Sequence, residues 1–311
     1  MPNTTSLRFY GRTLHQRSSI KLLLNIPSET AASEVSDLKV RILSAAVAIV
    51  IAVIVFILHN TILLPITVAF VIGMMIFELL RAASCVKFYS ASIPAIAYGV
   101  LIPLIYATKL YEYKLVFQIA LIFALFITFI SKHEVLKYEQ VTFIAAVSFI
   151  VPEAMLTALK TEALDDKHGI VLLILGLCGA WIADSGAYFA GTFFGKHKLC
   201  PTISPKKTVE GLVGGIIITG IVFVAFNFVY ANYISDENIK VNYIITAVTG
   251  MICAVIGTIG DLSASLIKRQ CGIKDYGKIM PGHGGIMDRF DSVLFVMPTF
   301  YAFVSAGDFY K

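Results

Sequence analysis

Residues 169–193 read GIVLLILGLCGAWIADSGAYFAGTF, an apolar stretch interrupted by a single carboxylate, Asp184. A helix needs about 20 predominantly apolar residues to cross a bilayer. The rest of the chain has the same character, because 58% of its 311 residues are hydrophobic and only 14% are charged, against about 25% charged in ordinary soluble domains. The sequence therefore predicts an all-α integral membrane protein that crosses the bilayer many times.

About nine segments are expected to be transmembrane helices. They are 42–58, 62–80, 92–108, 115–131, 141–158, 169–193, 211–233, 243–267 and 292–307. Several contain Gly or Pro, which membrane helices tolerate. No internal repeat is evident, so we predict one transmembrane catalytic domain over residues 42–311, preceded by a polar cytosolic tail over residues 1–41.

The distribution of Lys and Arg predicts the orientation, because cytoplasmic loops are enriched in these residues. With the N-terminus inside and the C-terminus outside, most of the 25 Lys and Arg residues lie on the cytosolic side. Those left outside are Lys109, Lys114, Lys160, Lys167, Lys240 and Lys311. This topology places the charged loops 194–210 and 268–291 in the cytosol, as expected for a multi-pass protein of the cell (cytoplasmic or inner) membrane.

Four aspartates lie at similar depths in three of the predicted spans. A rise of about 1.5 Å per residue puts Asp261 about 10 Å and Asp184 about 16 Å from the cytosolic ends of their helices. Asp288 and Asp291 open the last span, three residues apart and so on one helical face. We predict that the four carboxylates meet near the inner-leaflet headgroups. Such a cluster needs cations, and oxygen ligands favour Mg²⁺ over zinc.

Each aspartate also has a structural interpretation, as a helix cap or as the partner of a nearby Lys or Arg. Charged residues inside spans are more often functional, and the grouping of four strengthens that interpretation. Glu78, near the inner end of the second span, remains open between a packing role and a role in supporting the site.

The loop before the seventh span contains SPKKTVEG, residues 204–211. Ser204 followed by Pro205 is typical of an N-cap with proline at the first helical position. Lys206 and Lys207 would then lie beside the N–H groups of a helix N-terminus, an arrangement that suits a phosphate. Taken alone, the two lysines are better explained as anchors at the membrane surface than as phosphate ligands, whereas Glu210 requires a partner.

The second charged loop contains KDYGKIMPGHGGIMDRFD, residues 274–291, and follows Lys268 and Arg269. Cations, flexible glycines and carboxylates are the parts that nucleotidyl or phosphoryl transfer requires. The chain lacks G-x-x-x-x-G-K-[ST], which excludes a P-loop enzyme. It also lacks the basic and aromatic pattern of nucleic-acid binders, so no nucleic-acid partner is expected. His283 alone is better explained as a hydrogen-bonding loop residue than as a catalyst.

These two loops resemble the conserved blocks of the phosphatidate cytidylyltransferase (CDP-diacylglycerol synthase) family. The matching signature is Ser265, Ile267, Lys268, Arg269, Lys274, Asp275, Gly277, Pro281, His283, Gly284, Gly285, Ile286, Asp288, Arg289, Phe290 and Asp291. The resemblance is strong over about residues 170–300, the motif-bearing half. The chain departs from the family at three positions. Many members carry another apolar residue in place of Met280, a Glu in place of Ala264 and a basic residue in place of Thr192.

The resemblance implies the transfer of the cytidylyl group of CTP to phosphatidate, giving CDP-diacylglycerol and pyrophosphate for phospholipid biosynthesis. It implies a homodimer and Mg²⁺ as cofactor, with a second cation such as K⁺ left open. Site roles then fall into three groups. The metal-binding group is Asp261, Asp288 and Asp291, with Asp184 as a further candidate. The phosphate-binding group is Lys206, Lys207, Lys268, Arg269 and Arg289. The group that shapes the nucleotide end and the loop is Ser204, Thr208, Glu210, Lys274, Asp275, His283, Gly284 and Gly285.

Other functions remain to be distinguished at this point. Another CTP-dependent lipid-phosphate cytidylyltransferase, acting on an ether lipid or a polyprenyl phosphate, would carry the same motifs. A transporter would also place acids inside spans, but it would be expected to show related halves and polar groups at mid-membrane. A non-catalytic relative is disfavoured by the intact acids.

Overall fold

Apolar helices make up most of the structure. The computed structural model describes residues 28–235, 238–307 and 309–310. Most of the predicted polar tail, residues 1–27, lies outside the described residues. Two compact units divide at Val50 and Ile51, within the first helix. Apart from α1, the features described below belong to the second unit.

Within the described residues, ten helices and one small hairpin follow in chain order. They are α1 (Ser28–Ile57), α2 (Leu63–Ala82), α3 (Tyr89–Ile105), α4 (Lys114–Ser131, preceded by a 3₁₀ turn over Lys109–Tyr113), α5 (Tyr138–Glu162), α6 (Gly169–Phe194), β1 (Lys198–Cys200), β2 (Ser204–Thr208), α7 (Val209–Val229, continued by a π turn over Tyr230–Ile234), α8 (Tyr243–Gln270), α9 (Met287–Phe290) and α10 (Val293–Ser305).

Seven of the described helices are long and apolar enough to cross a membrane: α1, α2 and α4 to α8. Helices α3 and α10 correspond to the third and ninth predicted spans, but they have only 17 and 13 residues. The prediction of a helical, multi-span membrane protein is therefore confirmed. The count of nine crossings and the orientation of the termini stay predictions.

The segment between α6 and α7 corrects the sequence-based interpretation. Strands β1 and β2 form an antiparallel hairpin that pairs Lys198 with Thr208 and Cys200 with Ser204, so the fold is not entirely helical. The prediction that Ser204 caps the seventh span is wrong. The cap is Thr208, whose Oγ1 accepts a hydrogen bond from Gly211 N at 3.1 Å. Pro205 is tolerated in β2 because a two-stranded sheet leaves its outer N–H positions unpaired.

Helices α6 and α7 pack with their backbones unusually close. A Cβ placed on Gly214 would overlap the Cβ of Ala190, and one on Gly211 would lie 2.7 Å from the carbonyl oxygen of Ala187. Small residues allow this approach in membranes, where van der Waals packing replaces the hydrophobic effect between helices. The close packing holds the two ends of the β hairpin in a fixed relation to each other.

A second layer of the core forms around α2, α3, α5 and α10. It buries Ile72, Met75 and Ile76 of α2 together with Ile102 and Leu156. At one end of this layer, His59 Nδ1 lies 2.7 Å from Glu162 Oε1. At the other end, the last turn of α2 meets the loop that follows α8. The chain thereby brings its N-terminal half to the charged segments that the sequence singled out.

We expect Gly214→Val to lower the thermal stability of the purified protein, because the added methyl groups have no space against Ala190. Overpacking a close contact typically costs about 1–3 kcal/mol. Val213→Leu on the exposed side of the same helix is the matched control and should leave the melting temperature unchanged. Equal melting temperatures for the two variants would show that the α6–α7 contact is not tight.

Candidate functional site

One lysine lies close to two aspartates, one on α6 and one on α8, on the side of the bundle where both helices end. Lys207 Nζ, on β2, lies 2.6 Å from Asp261 Oδ2 and 3.8 Å from Asp184 Oδ1. The lysine side chain is only 22% exposed. Two carboxylates close together repel each other unless a cation compensates them. The Lys207 ammonium group therefore supplies the compensation that the sequence assigned to a metal.

A third aspartate lies next to this pair. Asp291, buried before α10, accepts a hydrogen bond from Ser292 N at 2.8 Å. The Ser292 hydroxyl donates to Asp184 Oδ2 at 3.1 Å and lies 3.5 Å from Asp291 Oδ1. Ser292 thus joins the carboxylates of α6 and of the segment before α10. The sequence reasoning missed it, because an isolated serine carries no recognisable pattern.

A cavity of about 490 Å³ opens beside the Lys207 cluster. Its charged residues are Asp184, Asp261, Lys198, Lys206 and Lys207. Its remaining lining consists of Ala187, Tyr188, Gly191, Thr192, Leu199, Ser204, Thr208, Gly211, Leu212, Thr258 and Ser265. Asp184 and five other residues that the sequence assigned to the phosphate, nucleotide and metal sites line this one cavity. The five are Ser204, Lys206, Lys207, Thr208 and Asp261.

Asp288 has a different environment from the other three aspartates. Its Oδ1 accepts a hydrogen bond from Lys268 Nζ at 2.8 Å. Its Oδ2 accepts bonds from Tyr276 N at 2.8 Å and from Gly285 N at 3.0 Å. Both oxygens are therefore engaged in tying α8 and the loop of residues 271–286 to α9. The role of Asp288 as a metal ligand stays a prediction.

Tyr276 is the buried centre of the 271–286 loop. Its hydroxyl donates to the Ala264 carbonyl oxygen at 2.9 Å, and Lys268 Nζ lies 5.4 Å from the centroid of its ring. Burial raises the pKa of the Tyr276 hydroxyl, with smaller contributions from Cys271 and Asp288. The hydroxyl therefore stays protonated and serves as a hydrogen-bond donor. Sequence reasoning had given this residue no role.

The rest of the 271–286 loop is a tight turn with an exposed surface. Met280 N donates to Gly284 O at 3.0 Å, and His283 N donates to Met280 O at 2.8 Å. Gly282 and Gly284 adopt φ values of 76° and 89°, which glycine reaches at low cost. Four predicted site residues around this loop are exposed: Arg269, Lys274, Asp275 and Arg289.

Arg289 has its backbone held while its side chain is exposed. Trp181 Nε1 of α6 donates to the Arg289 carbonyl oxygen at 3.3 Å, and the Trp181 ring packs edge-on against Phe290. These contacts attach α9 to α6. The Arg289 side chain is exposed, as a phosphate-binding group would require.

Glu210, for which the sequence required a partner, has one in His197. The His197 Nδ1 lies 2.6 Å from Glu210 Oε1, and His197 N donates to the same carboxylate at 3.2 Å. The pair joins the entrance of the β hairpin to the first turn of α7. Glu210 does not line the cavity, so its contribution to a nucleotide site would be indirect.

Glu78 is the acidic residue whose role the sequence left open, and it proves to be a buried contact of the 271–286 loop. It is 1% exposed. Its carboxylate accepts hydrogen bonds from Ile286 N at 3.2 Å and Met287 N at 2.8 Å. Arg81, one turn further along α2, donates to the Tyr276 carbonyl oxygen. A span and a loop about 200 residues apart in sequence are thus joined by backbone-directed bonds.

The predicted four-carboxylate cluster is only partly assembled. Asp184, Asp261 and Asp291 are neighbours, whereas Asp288 is held on the Lys268 side. Across the part of the chain that the structure describes, no group of three or more His, Cys, Asp or Glu side chains is arranged to hold a metal ion. The donors are nevertheless carboxylate and hydroxyl oxygens, the ligand type that Mg²⁺ prefers. The chemistry of the donor set fits Mg²⁺, although Lys207 now fills the position between Asp184 and Asp261.

Known proteins share sequence with this chain. A relative from Bacillus subtilis is 44% identical over 136 residues, which cover 44% of this chain and 48% of that protein. Relatives from Haemophilus influenzae and Staphylococcus aureus are 41% and 45% identical over 140 and 132 residues, or 45% and 42% of this chain. They cover 47% and 48% of those proteins. All three are named phosphatidate cytidylyltransferase, and the chain matches about half the length of each.

A family model extends the match well beyond these local alignments. The model described as the cytidylyltransferase family matches residues 39–306, which include α2 with Glu78, the α6–α7 pair, the cavity and the 271–286 loop. The match covers most of the chain, and it agrees with the motifs from which the resemblance was first drawn. The chain belongs to the cytidylyltransferase family.

Proposed function

We propose that this protein transfers the cytidylyl group of CTP to phosphatidate, forming CDP-diacylglycerol and releasing pyrophosphate. The observation that carries the proposal is the cavity that Lys198, Lys206 and Lys207 line together with Asp184 and Asp261. Cations beside carboxylates suit a polyphosphate and its metal ion. The relatives that are named phosphatidate cytidylyltransferase support the choice of reaction and substrates.

The chemistry requires charge neutralisation more than proton transfer. A phosphatidate oxygen forms a bond to the α-phosphorus of CTP, and the bond from that phosphorus to the oxygen that bridges the α- and β-phosphates breaks, so that pyrophosphate leaves with that oxygen. The attacking phosphate is already an anion at neutral pH, so no strong general base is needed. In this proposal Lys206 and Lys207, which line the cavity, reduce the repulsion between the phosphatidate phosphate and the triphosphate of CTP. Lys268, Arg269 and Arg289 bind phosphate oxygens from the side of α8 and α9.

We propose Mg²⁺ as the cofactor, and a second cation such as K⁺ is compatible with the same site. Asp184 and Asp261 are the best-placed ligands, with Asp291 beside them, and Asp288 is retained as a predicted ligand. When bound, the metal would supply positive charge to the triphosphate and to the leaving pyrophosphate. Lys207 neutralises the same two carboxylates, so a cation between them would leave its ammonium group available for a phosphate.

The membrane arrangement proposed here has nine crossings, a cytosolic N-terminus and an external C-terminus, in the cytoplasmic membrane. The charged segments support it, because the ends of α2, α6 and α8 and the starts of α7 and α9 lie together at the site. That arrangement gives CTP access from the cytosol and phosphatidate access from the inner leaflet. The homodimer implied by the family resemblance is part of the proposal, and cross-linking of the membrane-embedded protein would test it.

We expect the purified full chain to incorporate label from [α-³²P]CTP into lipid when Mg²⁺ and phosphatidate are supplied. Ether-linked phosphatidate and a polyprenyl phosphate, tested in parallel, distinguish the alternative lipid substrates. A transporter would give no labelled lipid with any of them. Failure to label lipid with a folded protein and all three substrates would overturn the proposed reaction.

We expect Asp261→Asn to reduce activity by roughly a hundredfold or more, because a neutral amide can neither hold a cation nor balance Lys207. The Mg²⁺ concentration that gives half-maximal activity should also rise. Glu162→Gln is the matched control, since Glu162 pairs with His59 far from the cavity. Melting temperature and gel-filtration profile establish that each variant is folded, since loss of a charge partner can itself unfold a protein.

The dependence of activity on Mg²⁺ concentration also decides the role of Asp288. If Asp288 is a metal ligand, Asp288→Asn should raise the Mg²⁺ concentration that gives half-maximal activity, as Asp261→Asn does. A large loss of activity at an unchanged Mg²⁺ requirement would instead assign Asp288 to fixing Lys268 and the 271–286 loop.

A further inference from the structure

Glu78 is a buried charged residue that the proposed reaction does not use. It lies on α2, and its two oxygens accept hydrogen bonds from the backbone N–H groups of Ile286 and Met287. An ionised carboxylate in an apolar interior is costly unless its oxygens are hydrogen-bonded. A leucine at position 78 would bury as much apolar surface without this requirement. The carboxylate therefore has a specific function in holding the segment that it contacts.

The 271–286 loop is shaped to receive this carboxylate. A Cβ placed on Gly285 would lie 2.5 Å from Glu78 Oε1, and one on Gly277 would overlap the same oxygen. Both glycines are buried, and a Cβ on Gly277 would also lie 2.8 Å from the Gly285 Cα. Gly277 and Gly285 thus meet on Glu78, and a side chain at either position would displace the carboxylate from its present place.

The opposite side of the same backbone is held by Asp288. That carboxylate accepts hydrogen bonds from Tyr276 N and Gly285 N. Tyr276 directly precedes Gly277, which lies against Glu78, and Gly285 itself lies against Glu78. The other oxygen of Asp288 is bonded to Lys268. A displacement of the loop away from Glu78 would therefore be transmitted directly to the Asp288–Lys268 pair.

We propose that Glu78 is a positioning residue that fixes the 271–286 loop, and through it Asp288 and Lys268, for the transfer reaction. Arg81 assists by binding the Tyr276 carbonyl oxygen. Glu78 touches no substrate and acts only through the loop. The inference rests on the proposed function for its catalytic consequence, whereas its structural part can be measured without substrate.

Hydrogen exchange of the purified full chain tests the structural part. In Glu78→Gln the amide group faces two N–H donors with only one acceptor oxygen, so one of the bonds to Ile286 and Met287 is lost. We expect peptides that contain these two amides to exchange about tenfold faster or more. Peptides from α6 and α7 should be unaffected. The matched control Glu162→Gln should leave exchange in the 271–286 loop at the wild-type rate.

Steady-state kinetics test the catalytic part on the same samples. We expect Glu78→Gln to lower kcat by about tenfold to a hundredfold per folded molecule, at a melting temperature close to that of the wild type. Glu78→Asp keeps the charge on a shorter side chain and should retain an intermediate kcat. Arg81→Gln removes the bond to the Tyr276 carbonyl oxygen and leaves both Glu78 oxygens in place. It should change exchange and kcat in the same direction by a smaller factor, and it remains informative if Glu78→Gln fails to fold.

The outcomes separate the two proposals. Wild-type exchange at Ile286 and Met287 in Glu78→Gln would overturn the positioning role, and so would a loss of activity that only tracks the loss of folded protein. If wild-type protein transfers no cytidylyl group but the loop still loosens in Glu78→Gln, the proposed reaction fails while the role of Glu78 in fixing the loop stands.

Discussion

Uncompensated carboxylates at the end of a helical membrane bundle are the constraint around which this structure is arranged. Asp184 and Asp261 approach each other on α6 and α8, and Lys207 makes that approach possible. The lysine comes from outside both helices, on strand β2 of the hairpin between α6 and α7. The hairpin in turn depends on the close packing of those helices, because Lys207 can reach both carboxylates only if its strand is fixed.

Much of the site could be predicted from the sequence, because charged residues in apolar spans are conspicuous. The approach of Asp184 to Asp261 was expected from their depths along the predicted helices, whereas the sequence assigned the compensating charge to a metal and Lys207 to a phosphate. The cap at Ser204 was wrong since a Ser-Pro pair also suits a short strand, and only the pairing with β1 decides between the two. The position of Asp288 was equally undecidable, because its partners include backbone N–H groups of a loop whose path local sequence does not determine.

Glu78 illustrates what a sequence conceals about tertiary structure. Its importance comes from backbone groups at Ile286 and Met287, and every residue type except proline supplies such groups. No motif can therefore record the contact from the side of the loop, except through Gly277 and Gly285, which are small because the carboxylate lies against them. The N-terminal half, which the motifs leave out, thus takes part in the geometry of the C-terminal half.

The shortness of α10 has a consequence for how a lipid could reach the site. Thirteen residues extend about 20 Å, whereas the hydrocarbon core of a bilayer is about 30 Å thick. If the proposed topology holds and α10 reaches the outer boundary of that core, its first residue lies well below the inner headgroups. Asp291 and the cavity beside it would then sit in a polar depression within the leaflet, walled by α6 and α8. A phospholipid could present its phosphate there by moving sideways in the bilayer, with its acyl chains remaining among their neighbours throughout.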